Sequence, residues 1–234
     1  YPSLKAQNAS YNRIIKSISP SVLKAFGASG SSVNSLTNFL ATKLYGFSWP
    51  LIIIFLSVTL AVSTIVGEIE KTTLGIWLSA PVSRLSIYWS KFAAGVIWIV
   101  ISVAITIMAV IPLAAAYHSS LDRSGVLYLG LVGGLFALSV FALSMLISTL
   151  CSKASRAYVP IGIILIAMFT LNVVAALNSH LEKLQYVSYF YYFNATSLLN
   201  NAQINHASLY VFVGTIVIAG LLGSYVFKKR DFII

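Results

Sequence analysis

Residues 48–67 read SWPLIIIFLSVTLAVSTIVG, and residues 68–84, which follow, read EIEKTTLGIWLSAPVSR. The first stretch holds no Asp, Glu, Lys or Arg. It is long enough to cross a bilayer as a helix, because roughly 20 residues at about 1.5 Å rise each span about 30 Å of hydrocarbon. The second stretch gathers two glutamates, a lysine and an arginine. A span followed directly by a charged insert is typical of a helical membrane protein with a loop outside the bilayer.

The composition of the whole chain is that of a membrane protein. Of its 234 residues 59% are hydrophobic and 9% are charged, whereas soluble domains carry about 25% charged residues. Four more uncharged apolar segments occur, at 92–117, 126–150, 157–178 and 207–227. None shows the alternation of a barrel strand. The sequence therefore predicts an all-α, polytopic transmembrane helical bundle, with five spans in a single domain over 48–234.

The distribution of basic residues predicts the orientation of this bundle. Eight lysines and arginines fall in the connections 68–91, 151–156 and 228–234, and two fall in 118–125 and 179–206. Because Lys and Arg concentrate on the cytoplasmic side of spans, the first set and the C-terminus are predicted to be cytoplasmic. Residues 1–47 then form an extracytoplasmic interfacial segment with amphipathic helices. We expect one more span upstream of Tyr1, which makes six in the complete protein.

Several kinds of chemistry have no motif in this sequence. It contains no GxxxxGK[ST] phosphate loop and no GxSxG, HExxH or CxxC, so we expect no catalysis and no cofactor or metal bound by this chain. The spans lack the charged groups that ion-coupled carriers place at membrane depth, so energy for transport would come from another chain. The net charge of +10 is spread over both faces, which indicates the lipid membrane rather than nucleic acid as the partner.

Small and neutral polar residues inside the spans are candidates for helix packing. Gly130 and Gly134 form a GxxxG, and Ala219 with Gly223 forms a weaker pair. Such residues let helix backbones approach closely, within one chain or between subunits. Hydroxyl side chains are expected to join helices by hydrogen bonds, and these include Ser102, Thr106, Ser139 and Ser144.

The insert has the pattern of an amphipathic helix that stops at Pro81, after which Ser83 can cap a second helix leading into the next span. Glu68 falls on the polar arc and should be solvated. Glu70 falls within the apolar arc, where a carboxylate has to be paired. Its expected partner is a donor at a helix end, such as Arg84 or Lys91, or a group on another protein. The residues alone fit either an anchor for the loop or a docking helix for a soluble partner.

The insert resembles the cytoplasmic loop of ABC-2 type permeases, the membrane subunits of one class of ABC exporter. The family pattern is roughly Glu-x-Gly-Thr-Leu, followed several residues later by Leu-Ser-x-Pro-Val-Ser-Arg. The chain matches it from Glu70 to Leu74 and from Leu78 to Arg84, with Thr72 where the family prefers Gly. The ending FKKRDFII and the aromatic outer loop at 179–206 are also similar to the family.

The resemblance implies a coupling helix within 68–91 that contacts a separate ATPase subunit. The residues expected at that contact are Glu68, Glu70, Lys71, Thr73, Leu74, Trp77, Leu78, Pro81 and Arg84. The resemblance also implies a second permease copy, in a homodimer or a related heterodimer, and ATP and Mg held by the partner ATPase. It places this chain in the cell membrane.

The function expected from the resemblance is ATP-driven movement of cargo outward. The neutral, aliphatic spans favour an amphipathic or lipid-like cargo, such as a drug, antibiotic, peptide or lipid-linked molecule. The alternative is a non-transporting membrane module, an ATPase-regulated sensor or assembly factor.

Overall fold

The computed structural model describes residues 40–70, 82–116, 123–201 and 203–230, and every element in these ranges is helical. A π-helical segment at Leu40–Ser48 precedes four long helices: α1 (Trp49–Glu70), α2 (Arg84–Ala116), α3 (Arg123–Leu150) and α4 (Ala154–Leu177). A 3-10 helix at Ser179–Val187 and two short helices, α5 (Tyr189–Tyr192) and α6 (Ala195–Asn201), lead to the long α7 (His206–Lys229).

Within the described residues, five helical segments are long and apolar enough to cross a membrane. They are Leu44–Glu70, Arg84–Val110, Ser124–Leu150, Ala154–Leu177 and His206–Lys229. They coincide with the five apolar runs of the sequence, so the prediction of an all-α polytopic bundle is confirmed. The expected coupling helix at 71–81 and the amphipathic helices before residue 40 lie outside the described residues.

The helices on either side of the charged insert are longer than the apolar runs. α1 continues through Glu70 instead of ending at 67, and α2 begins at Arg84 instead of 92. The expected cap by Ser83 is confirmed, because its Oγ accepts a hydrogen bond of 3.1 Å from the Ser86 amide, in the third position of the helix. The charged residues near the insert therefore belong to the ends of spanning helices.

Contacts divide the chain into two compact units. Unit 1 comprises the described residues within 40–51, 107–130 and 167–204, and unit 2 comprises those within 52–106, 131–166 and 205–230. In unit 1, α6 packs on the π-helical segment. Gly125 approaches α6 so closely that an added Cβ would lie 2.9 Å from the Leu198 carbonyl oxygen.

Unit 2 is organised around aromatic rings that join α7, α2 and α3. The Tyr88 ring lies 5.8 Å from that of Phe227 and 6.2 Å from that of Phe92, measured between centroids. Phe92 in turn lies 5.6 Å from Phe141. All four side chains are buried. Aromatic pairs at such distances contribute about 0.5–1.5 kcal/mol beyond the burial of their area, so this cluster fixes three helices side by side.

Two of the four predicted small residues, Gly130 and Gly223, lie at close helix contacts. In unit 1, a Cβ on Gly130 would lie 3.2 Å from Ile107, and in unit 2 a Cβ on Gly134 would lie 3.9 Å from Val103, both on α2. A Cβ on Gly223 would overlap the Tyr88 hydroxyl. Ala219 is buried one turn away.

The hydroxyl groups in the spans bond within their own helices. The Oγ atoms of Ser102, Ser139 and Ser144 donate to the carbonyls of Trp98, Phe136 and Val140 at 2.7–2.8 Å, and Thr106 donates to Ser102. For the three serines the expectation of bonds between helices is wrong. A carbonyl three or four residues earlier in the same helix is always within reach of a short hydroxyl side chain.

Replacement of Gly95 by Ala is expected to lower thermal stability. An added Cβ would overlap the Phe141 ring, which is 0% exposed and cannot move away freely. Overpacking of this kind costs about 1–3 kcal/mol, so the Tm of the detergent-purified protein should fall by several degrees. Gly162→Ala is the matched control in α4, because nothing lies within 4 Å of its added Cβ. Equal Tm values for the two variants would contradict the close α2–α3 contact.

Candidate functional site

Five charged side chains meet where the long helices of unit 2 begin and end. They are Glu68, Glu70, Arg84, Lys91 and Arg230, and we call them the charged network. At this place α1, α3 and α7 end while α2 and α4 begin. Helix ends carry backbone groups without partners inside the helix, and several members of the network bind such groups.

Glu68 and Lys91 form an ion pair that joins α1 to α2. Glu68 Oε1 lies 2.5 Å from Lys91 Nζ, and the two side chains are 27% and 14% exposed. The expectation that Glu68 is solvated is therefore wrong. Because residues 68–70 continue α1, Glu68 follows the fully buried Ala61 and Ile65 on the same helix face, and a carboxylate in that position needs a partner.

Glu70 joins α1 to the start of α4. Its Oε2 accepts a hydrogen bond of 3.2 Å from the Ala154 amide, the first residue of α4. The expected kind of partner, a donor at a helix end, is found, but it is not Arg84 or Lys91. The Glu70 side chain is exposed, and the other residues of the apolar arc expected around it, Leu74 and Trp77, lie outside the described ranges. A negative charge is favourable at a helix N-terminus because the helix dipole is positive there.

Arg84 joins α2 to the end of α7. Its Nη1 donates a hydrogen bond of 2.8 Å to the carbonyl of Arg230, which is the C-cap residue of α7. A guanidinium at this end of a helix pairs with carbonyls that have no donor inside the helix, and it interacts favourably with the negative end of the dipole.

The Arg230 guanidinium joins α7 to the end of α3. Nη1 donates to the carbonyl oxygens of Thr149 and of Cys151, the latter at 2.8 Å, and Nη2 donates to Ser152 Oγ at 2.6 Å. Burial lowers the pKa of Arg230. The planar guanidinium, with its five N–H donors, can bind several oxygens at once, and these bonds offset the cost of burying its charge.

The turn that Arg230 contacts is held in shape by a thiol. Pro160 lies inside α4 and has no N–H, so the Arg156 carbonyl four residues earlier loses its usual donor. Cys151 Sγ donates to that carbonyl at 3.4 Å. The thiol thus ties the end of α3 to the first turn of α4, while the Cys151 carbonyl and Ser152 Oγ face Arg230.

The contacts of the network connect all five long helices. Glu70 links α4 to α1, Glu68 links α1 to α2, Arg84 links α2 to α7, and Arg230 links α7 to α3. No group of three or more potential metal ligands occurs in the part of the chain that the structure describes. The arrangement is suited to passing displacement from one helix end to the next.

Six residues of the expected ATPase contact lie outside the described ranges, and their placement stays a prediction. They are Lys71, Thr73, Leu74, Trp77, Leu78 and Pro81. Neither the hydrogen bonds of Arg230 nor the pairing of Lys91 with Glu68 was predicted from the sequence. Nothing in the KKR run at 228–230 marks its third residue as the partly buried one. Pro160, four residues after Arg156, is a signal that sequence inspection can find.

Arg230→Gln is expected to lower the stability of the protein. Bonds to charged groups are worth about 1.5–3 kcal/mol, so we expect a net loss of about 2 kcal/mol. That loss corresponds to a Tm decrease of about 4–8 °C for a chain of this size. Lys228→Gln is the matched control, since it removes an exposed cation two residues earlier. Similar melting of the two variants would show that the Arg230 bonds do not hold α3 to α7.

A comparison with models of known protein families shows to which family this chain belongs. The family model described as "ABC-2 family transporter protein" matches residues 5–232, a range that includes the five long helices and the whole charged network. No curated protein and no solved structure matches the chain. The family match confirms the resemblance seen in the sequence, and it identifies a transporter subunit in the membrane that is not itself catalytic. The chain is a multi-pass membrane protein and belongs to the ABC-2 family of transporter proteins.

Proposed function

We propose that this chain is the permease subunit of an ATP-driven ABC exporter, and that the charged network passes motion from a partner ATPase to the spanning helices. Family membership supports the permease role. One observation carries the coupling part of the proposal. The residues that bracket the segment 71–81, Glu70 and Arg84, are bonded to helices other than their own.

A force on the segment 71–81 would act first on the end of α1 and the start of α2. The ion pair between Glu68 and Lys91 makes these two ends move together. Glu70 would pass the movement to α4, and Arg84 would pass it through Arg230 to α7 and α3. A partner that contacts only this short segment would thereby act on every long helix of the chain.

The proposal assigns the energy source and the cargo to different places. ATP and Mg would be bound by the partner ATPase, because this sequence has no phosphate loop. Two permease copies, identical or related, would surround the route. The apolar, uncharged spans support outward movement of an amphipathic or lipid-like molecule such as a drug, antibiotic, peptide or lipid-linked compound.

The charged network is expected on the cytoplasmic side of the cell membrane, together with the C-terminus. In a Cys151→Ser background, which keeps a donor for the Arg156 carbonyl, a cysteine at the exposed Ser155 should react only after the membrane is permeabilised. A cysteine at the exposed Gln203 should react with an impermeant maleimide in intact cells. Labelling of the Ser155→Cys protein in intact cells would contradict this orientation.

Glu68→Gln is expected to uncouple ATP hydrolysis from transport more strongly than Glu70→Gln. An amide at position 68 does not attract the Lys91 ammonium as a carboxylate does, whereas an amide at position 70 still offers an oxygen to the Ala154 amide. The measurement is ATP hydrolysed per fluorescent short-chain phospholipid moved, in vesicles with the partner ATPase. Coupling free energies of about 1–3 kcal/mol correspond to about 5- to 150-fold, and we expect the lower end.

Two controls accompany this experiment. Glu182→Gln removes an exposed carboxylate from the 3-10 helix and should leave the ratio unchanged. The exchange of charges in Glu68→Lys with Lys91→Glu should restore part of the coupling. If Glu68→Gln leaves the ratio of ATP hydrolysed to phospholipid moved unchanged, the ion pair does not take part in coupling. ATPase binding by the parent without movement of any amphiphile would favour the sensor or assembly function.

A further inference from the structure

Four exposed cations lie beside the charged network without an acidic partner among the described residues. Lys153 immediately precedes α4, Arg156 lies in the first turn of α4, and Lys228 and Lys229 are at the end of α7. The glutamates at these helix ends are already engaged, one with a lysine of α2 and one with a backbone amide of α4. Within the described residues, no carboxylate therefore neutralises the charge of these four cations.

Arg230 brings the two pairs of cations together. Its guanidinium binds Cys151 O and Ser152 Oγ, so the chain next to Lys153 and the chain next to Lys229 are in direct contact. A hydrogen bond of 3.1 Å from the Arg156 amide to the Lys153 carbonyl keeps the turn compact. Lys153, Arg156, Lys228 and Lys229 thus form one basic patch, although about 75 residues separate the two pairs in sequence.

Exposed apolar side chains border the basic patch along the same helices. Leu150 precedes the turn and is 62% exposed, and Val159 follows it in α4 and is 61% exposed. Tyr225 is 55% exposed one turn before Lys229, whose Nζ lies 4.7 Å from the centre of its ring. Tyrosine and lysine in this arrangement are typical of the border between hydrocarbon and headgroups.

We infer that the basic patch binds the headgroup of an anionic phospholipid, with the acyl chains along the neighbouring apolar side chains. Lys and Arg at a membrane surface attract anionic headgroups. A soluble acidic protein could bind the cations, but its polar surface would not bury the exposed Leu150 and Val159 beside them. A bound lipid would bridge the turn and the end of α7, the two segments that Arg230 already connects. The inference uses only the membrane location of the chain and does not rest on coupling to an ATPase.

The test measures phosphatidylglycerol binding to the purified full-length protein by native mass spectrometry, without any partner subunit. Phosphatidylcholine serves as the neutral reference lipid. Each cation near a surface contributes about fivefold to the affinity for anionic lipid, so Lys153→Gln with Arg156→Gln should weaken phosphatidylglycerol binding by about thirtyfold. Lys228→Gln with Lys229→Gln should act in the same direction. Lys183→Gln, an exposed lysine on the 3-10 helix, is the matched control and should bind like the parent.

Three results would overturn the inference. The first is phosphatidylglycerol binding that both double variants retain at the affinity of the parent. The second is equally tight binding of inorganic phosphate, which would show a site for free anions. The third is phosphatidylcholine binding as tight as that of phosphatidylglycerol, which would show that the cations do not select an anionic headgroup. Gel filtration and Tm measurement show whether either double variant is misfolded. Because the two variants alter different segments, the correctly folded one still tests the inference.

Discussion

The Arg230 guanidinium donates hydrogen bonds to carbonyl groups at the end of α3, which have no partner inside that helix. Every helix end leaves carbonyl or amide groups without partners in the helix. Here side chains from other helices supply the partners: Arg230 for Thr149 and Cys151, Arg84 for Arg230, and Glu70 for Ala154. Because each cap comes from a different helix, satisfying a backbone group also fastens two helices to each other.

This arrangement separates two kinds of contact within unit 2. Along the spans, buried aromatic rings hold α2, α3 and α7 together. The rings pack directly against glycines, Phe141 against Gly95 and Tyr88 against Gly223. At the helix ends the contacts are charged and directional. Apolar packing tolerates small sliding movements, whereas a charged bond at a helix end passes a displacement on. The combination supports the proposal that a partner ATPase moves the spanning helices of this chain.

Charges at these helix ends have two different environments. The members of the charged network bind one another or backbone groups, and the Arg230 charge is partly buried. The basic patch remains exposed beside apolar side chains. The basic residues at these helix ends therefore have two roles. Some connect helices, and others are exposed and can contact the membrane surface. Only the pairing found in the folded chain distinguishes the two groups.

From the sequence alone we could predict the five spanning helices of the described residues, the start of α2 at its Ser83 cap and membership of the family. These follow from apolar length and from side chains that act on neighbouring residues, so they need no knowledge of how helices pack. The partners of Glu68, Glu70 and Arg230 were decided only by the tertiary structure. The bonds of Glu70 and Arg230 to the 149–154 region span 84 and 81 positions, and the bond of Arg84 to Arg230 spans 146. Which side chain reaches which helix end depends on how the helices pack in three dimensions, and no local pattern in the sequence records that.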